Sequence, residues 1–135
     1  MTRRLVQPDG WPPPRGYANG VAVPAAGRIV YVAGQIGWDP VAETFESDEL
    51  VAQVRRALRN VAEVLRAAGA EPHHVTRLTW YITDRAEYLA SRRAIGAAYR
   101  EVMGRHFPAM AVVEVTALVE DRAKVEIQAM AVVPT

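Results

Sequence analysis

Val125-Glu126-Ile127-Gln128-Ala129-Met130-Ala131-Val132-Val133, "VEIQAMAVV", is the stretch on which the fold turns. A strand over 124–132 puts Val125, Ile127, Ala129 and Ala131 on one side by period-two alternation. Glu126, Gln128, Met130 and Val132 then share the other. The segment 111–118 behaves alike: Ala111, Val113, Val115 and Ala117 oppose Val112, Glu114, Thr116 and Leu118. Neither side of either strand is polar enough for a solvated sheet face. Both faces must therefore be covered.

Working back along the chain supplies the cover for one face only. Residues 28–33, "RIVYVA", are β-branched and aromatic and read as a strand stopping at Gly34. A looser strand over 17–24 precedes it, and 8–16, "PDGWPPPRG", reads as a loop or extended arm because proline has no N–H. Trp11 is expected to tack this arm onto the body. Residues 34–47 read as a loop. Ser47 is a candidate N-cap, with Asp48 and Glu49 in the first turn. Leu50, Val51, Val54, Leu58, Val61 and Leu65 then recur at helical spacing up to Gly69. A strand over 75–83 and a second helix over 85–103 follow, the helix capped by Thr83 or Asp84, striped by Leu89, Ile95, Tyr99 and Val102, and ended by Gly104. The charged turn at Glu120-Asp121-Arg122 joins the last two strands. The order is ββαβαββ, an α+β or α/β two-layer sandwich with both helices on one face of one sheet. Two helices cover one face, so the other is expected to meet further subunits.

The 135 residues suit one domain with a real core. Net charge is +1, so no strong field draws the chain to nucleic acid or a membrane. There is no cysteine, which excludes disulfides, thiol catalysis and cysteine-ligated metals. No segment approaches the apolar length of a membrane span, and a cytoplasmic location is the expectation.

Polar candidates are few. His73, His74 and His106 are the only histidines, and adjacent strand histidines point apart, so a surface role is expected rather than a metal site. Glu43, Glu46, Asp48 and Glu49 read as helix-start chemistry. "AGQIGWDP" follows a strand but lacks the spacing and the lysine of a phosphate loop. Glu126, on the face expected to be covered, must be paired or carry a raised pKa. "RHFPAM", 105–110, is a turn feeding a strand, a common way to wall a pocket.

Taken together, "RGYANGVAV", "VYVAGQIGWDP", "QVRRALRNVAEVLRAAGA", "VTRLTWYITD", "FPAM" and "VEIQAMAVV" resemble the Rid family, the RidA/YjgF reactive-intermediate deaminases. The resemblance covers nearly the whole chain, read as a single domain over 1–135 with 1–16 as its arm. It implies a chorismate-mutase-like α+β sandwich and a homotrimer with clefts between subunits. It also implies hydrolysis of enamines and imines such as 2-aminoacrylate, without metal or cofactor. Carried over by position, Tyr17 and Gln128 stand at catalytic places. Ala33, Gly34, Gln35, Trp38, Arg93, Met110 and Ala111 stand against a small-molecule substrate.

Three positions depart from the family pattern. Ala33 replaces a hydroxyl, Met110 an arginine that grips the substrate carboxylate, and Gln128 a glutamate that positions water. Methionine cannot pair with a carboxylate, and glutamine cannot act as a base. The expectation is a deaminase-like protein acting on a neutral or bulky imine, with Arg93 or Arg105 replacing the lost charge. The alternative is a non-catalytic small-molecule binder on the same trimer. RNA cleavage, also associated with the family, finds no support in the near-neutral charge or the histidine placement.

Overall fold

The structure, a computed structural model, describes residues 3–24 and 26–134. Its centre is a four-stranded sheet in the order β3 (Arg28–Ile36), β6 (Val125–Val133), β4 (Val75–Ile82), β5 (Ala109–Glu114). β4 and β5 run parallel and the other pairs antiparallel, so the sheet is mixed. α1 (Leu50–Ala67) and α3 (Arg92–Met103) pack on one face of it. Leu58 and Leu65 of α1 meet Leu78 of β4 and Ile127 of β6 in a core where all four are fully buried. Each such side chain contributes about 1.5–3 kcal/mol relative to exposure.

Along β6 buried and half-buried residues alternate without exception, as expected, with the strand one residue further along than 124–132. The helix-facing set is Val125, Ile127, Ala129, Ala131 and Val133. The opposite face is left open. Tyr31 is 71% exposed on it and Ile29 53%, with Ala33 on the same strand and Val113 at the opposite edge.

Several elements differ from the sequence reading. The arm contains a strand: β1 (Arg4–Val6) pairs antiparallel with β2 (Gly20–Ala22), each supplying the ladder partner the other needs. Trp11 does not tack the arm down, being 57% exposed. β3 continues through Gly34, Gln35 and Ile36, because a bulge between Val32 and Gln35 keeps the strand paired with β6 where a loop was expected. Ser47 does not cap α1. Its Oγ accepts from the Glu49 N–H (3.0 Å), the helix starts one residue later, and Asp48 and Glu49 lie outside it. The second helix breaks at Ser91, whose N–H donates to the carbonyls of Glu87 and Tyr88 and closes a six-residue α2 (Arg85–Ala90) before α3 begins. Asp84 caps α2, accepting from the Glu87 N–H at 3.0 Å. Leu89, exposed on α2, falls outside the core that Ile95, Tyr99 and Met103 of α3 enter. β5 starts two residues earlier than expected and ends at Glu114, so Val115–Leu118 lie beyond the strand.

Candidate active site

The residues that position the site are mostly amides. Gln53, on the buried side of α1, donates from Nε2 to the carbonyls of Ser47 and Arg122 (both 3.0 Å) and accepts at Oε1 from the Lys124 N–H (2.8 Å). One side chain thus ties the start of α1 to the turn before β6. Asn60, two turns further along the same face, donates to the carbonyls of Ile36 (3.1 Å) and Trp38 (2.9 Å). It holds the end of β3 against α1, with Gly37 pressed so close that a Cβ there would lie 2.5 Å from the Gln53 carbonyl oxygen. Trp38 is fixed by this clamp and by Phe45, ring centroids 5.7 Å apart. It sits in the β3–α1 loop, which Asp39 folds by accepting from the Val41 and Ala42 N–H groups. Those two bonds, ahead of the Arg56 guanidinium, lower the Asp39 pKa.

β3 delivers Ala33 and Gly34 to the open side of the sheet, while Gln35, past the bulge, pairs with the helix-facing Ile127. Gly34 is needed there because the Glu126 side chain lies directly across it, in the space a Cβ would take. The Gln35 amide donates back to the Ala33 carbonyl (3.1 Å). Gln128 stands between Ala33 and Thr79, and with Tyr31, Arg77 and Met130 they line a shallow depression of about 390 Å³. Ala111, in register with Thr79 and so with Gln128, belongs to this face.

Met110 does not. It pairs with Leu78, which points wholly into the helix layer, and Met110 packs against the same core. The sequence reading put Met110 and Gln128 in one cleft. Within one chain they lie on opposite faces of the sheet, because successive strand residues alternate and Met110 is offset by one from Ala111. Met110 instead forms the floor of a second cleft, about 280 Å³, between β5 and α2–α3. Trp80, Tyr88, Tyr99 and Phe107 supply its aromatic walls, Ile95 and Gly96 its helical side, and Arg15, Arg92 and Arg100 its guanidinium groups.

The stretch "RHFPAM" is locked in place from both sides of this cleft. The Tyr99 hydroxyl donates to the His106 carbonyl and its ring stacks on Phe107 at 5.5 Å. Burial pushes the Tyr99 pKa upward, opposed by the Arg3 guanidinium. On the other side, the Ala18 N–H donates to the Pro108 carbonyl (2.9 Å) and Ala18 bridges to Ala109. Tyr17 is thereby held beside Pro108-Ala109, partly exposed at the mouth of the same edge.

Of the nine expected site residues, Tyr17 and Met110 fall at the β5 edge. Ala33, Gly34, Ala111 and Gln128 fall on the open face or its rim, and Gln35 pairs with the helix-facing Ile127. Trp38 and Arg93 line neither depression. The arginines lining the cleft with Met110 are Arg15, Arg92 and Arg100, and Arg105 belongs to a separate groove with Arg3, His73 and His106. Arg15, Trp80, Tyr88 and Arg100 were missed, and only the aromatic content of "VTRLTWYITD" pointed toward any of them. Among the described residues no group of three histidine or acidic side chains could hold a metal ion, and no helix is long and apolar enough to cross a membrane.

The chain matches the family described as endoribonuclease L-PSP over residues 12–133. It is 36% identical to the protein DfrA of Myxococcus xanthus over 98% of this chain and 97% of that one. It is 31% identical to the goat (Capra hircus) 2-iminobutanoate/2-iminopropanoate deaminase over 98% of this chain and 91% of that one. The crystal structure of the conserved Rid-family protein YyfB from Yersinia pestis superposes with a TM-score of 0.86 at 33% identity, covering 98% and 100% of the two chains. A two-layer α+β chain with these matches over nearly its whole length belongs to the endoribonuclease L-PSP family, among its RidA/YjgF (Rid) proteins.

Proposed function

We propose that the protein is a Rid-type hydrolase of a reactive enamine or imine, working in clefts between the subunits of a homotrimer on a substrate other than 2-aminoacrylate. The observation that carries the reading is the split of the family-position residues between two faces of one sheet. A site using both groups needs two chains, the Tyr17–Met110 edge of one set against the Ala33–Gly34 and Gln128 face of the next. The exposed apolar residues of that face, Tyr31 and Ile29 foremost, support such a contact. The likeness to the 2-iminobutanoate/2-iminopropanoate deaminases supports the reaction class. It favours imine hydrolysis over the RNA cleavage in the family's description, for which a net charge of +1 offers little electrostatic drive.

The chemistry assigned to the cleft is addition of water to C=N. The water oxygen bonds to the imine carbon and the nitrogen takes up the proton. The resulting carbinolamine expels ammonia to leave a carbonyl product. Gln128 orients the water by accepting one of its hydrogens, but it cannot take the proton, which must pass to the imine nitrogen itself. Tyr17 supplies a hydroxyl at the cleft mouth. Met110 leaves the β5 floor without the charge that would grip a small imino acid.

The test is ammonia release by purified protein from 2-aminoacrylate generated in place, beside a panel of cyclic, neutral and aryl imines. Acceleration of a bulky imine over buffer, with little on 2-aminoacrylate, is the expected result; no acceleration of any removes the reading. The Met110 and Gln128 replacements favour a second reading, a binder without turnover on the same trimer. Ligand-induced thermal stabilisation with no ammonia release would select it. A Met110→Arg/Gln128→Glu double variant that gains 2-aminoacrylate hydrolysis would locate the lost activity in those two positions.

A further inference from the structure

The cleft floored by Met110 carries more information than the absence of an arginine at 110. Its volume, about 280 Å³, well exceeds the ~150 Å³ cavity that takes up a benzene. A three-carbon imino acid would leave most of it empty. Trp80, Tyr88 and Phe107 present ring surface to it, and Gly96 leaves the α3 wall without a side chain. Trp80 is 2% exposed, and its indole N–H has no hydrogen-bond partner. A buried donor left unpaired is costly, so an acceptor on a bound molecule answers it.

The charge around this apolar cleft is of one sign. Arg15 from the arm and Arg92 and Arg100 from α3 line it. Among the described residues no carboxylate lies within ion-pair distance of these three, whereas Arg55, Arg56, Arg59 and Arg122 all have acidic partners. Arg92 and Arg100 are eight residues apart on α3, which places them two turns apart along one side of the helix.

From this we propose that the cleft binds an anion with a bulky, aromatic-sized body: the rings hold the body over Met110, and Arg92 and Arg15, with Arg100, hold a carboxylate at the rim. The inference rests on the imine-hydrolase reading for its place in the reaction and names the substrate class as aryl or similarly bulky imino acids. The anion grip has moved from the strand floor to the helix and the arm, while Trp80 donates to the ligand's second oxygen.

Three stable carbonyl compounds separate the parts of the claim: pyruvate (small, anionic), phenylpyruvate (bulky, anionic) and benzyl methyl ketone (bulky, neutral). Binding to the full chain is measured by calorimetry and tryptophan fluorescence, without requiring turnover. Phenylpyruvate should bind at least about tenfold more tightly than either of the others. Arg92→Gln and Arg15→Gln should each lower phenylpyruvate affinity toward that of the neutral ketone and leave the ketone's affinity unchanged. Trp80→Phe should weaken both bulky ligands. Both arginines are solvent-exposed, so the variants fold, which a melting curve verifies. Equal affinity for pyruvate and phenylpyruvate, an anionic preference untouched by the arginine variants, or no binding of any compound overturns the proposal. Ammonia release from the imine panel then reports separately on the hydrolase reading.

Discussion

Replacing Tyr31 by aspartate tests whether the open sheet face is an interface. Tyr31 projects from β3 opposite the helices, in register with Met130, and is 71% exposed. A tyrosine buries about 150–250 Å² when covered, so covering the exposed share removes roughly 110–180 Å² from water. At ~25 cal/mol per Å² that is about 3–4 kcal/mol for each subunit. Loss of that contribution weakens association by about 100- to 1,000-fold, and an aspartate desolvated in its place adds to the loss. Light scattering coupled to gel filtration at micromolar concentration should show a trimer for the wild type and dissociation for Tyr31→Asp. Val119→Asp is the control. Val119 is 95% exposed but lies in the β5–β6 turn rather than on the sheet, and its substitution should leave association intact. A wild-type monomer, an intact Tyr31→Asp trimer, or equal dissociation by both variants would refute the argument from the two-sided strands.

Two further outcomes follow from the interior. Gln53→Leu keeps the side-chain volume near constant but removes three hydrogen bonds, at about 1 kcal/mol each and about 3 kcal/mol together. With a urea m-value of about 1–3 kcal/mol/M the midpoint should fall by about 1–3 M at fixed protein concentration; Gln53→Glu, which turns an acceptor oxygen toward the Ser47 and Arg122 carbonyls and buries a charge, should fall at least as far, and a shift within error for Gln53→Leu would contradict the clamp. His74 accepts at Nδ1 from the Glu71 N–H (3.0 Å), and its pKa is lowered from 6.5, by burial first and then by the nearby His73. The folded state therefore binds fewer protons than the unfolded one just below the ordinary histidine pKa, so stability is intact above it and declines as pH falls through about 6.5. His106, lowered by burial and by His73 and Arg3, acts in the same direction. Melting temperature should drop between about pH 7 and pH 5, and His74→Gln should flatten part of that slope; an unchanged slope would remove His74 from the account.

What could be read from the chain and what could not divide along physical lines. The alternation in 125–133 was legible because period two is local and both faces carried apolar residues. The 50–65 helix was legible for the same reason. β1 was not, because three residues form a strand only through partners at 20–22. Nor was the bulge at Val32–Gln35, which depends on Glu126 crossing Gly34 from another strand. In β5 the residues at 110–113 are all apolar, so alternation alone does not say which parity faces the helices; the pairing of Met110 with Leu78 decides it. Arg92 and Arg93 adjoin in the sequence, and adjacent helical residues lie about 100° apart, so only the lining of the folded cleft separates them.

Gln53, Asn60 and the glycines at 34 and 37 are spent on backbone geometry: they anchor loops, seat the end of β3 on α1 and let Glu126 cross. None of them requires a particular residue at 33, 110 or 128. The scaffold can therefore be kept while those three positions change, and a likeness over the whole chain reports on the fold more firmly than on the reaction. Position 110 shows the consequence. An arginine there would rise from an apolar floor between Trp80 and Phe107 into a cleft that already holds three guanidiniums without a carboxylate among them. A fourth positive charge is repelled unless a ligand neutralises the set. Methionine at 110 and arginines at 15, 92 and 100 are thus one arrangement, in which the floor gives up its charge so that the rim can hold the anion and the floor can hold the ring.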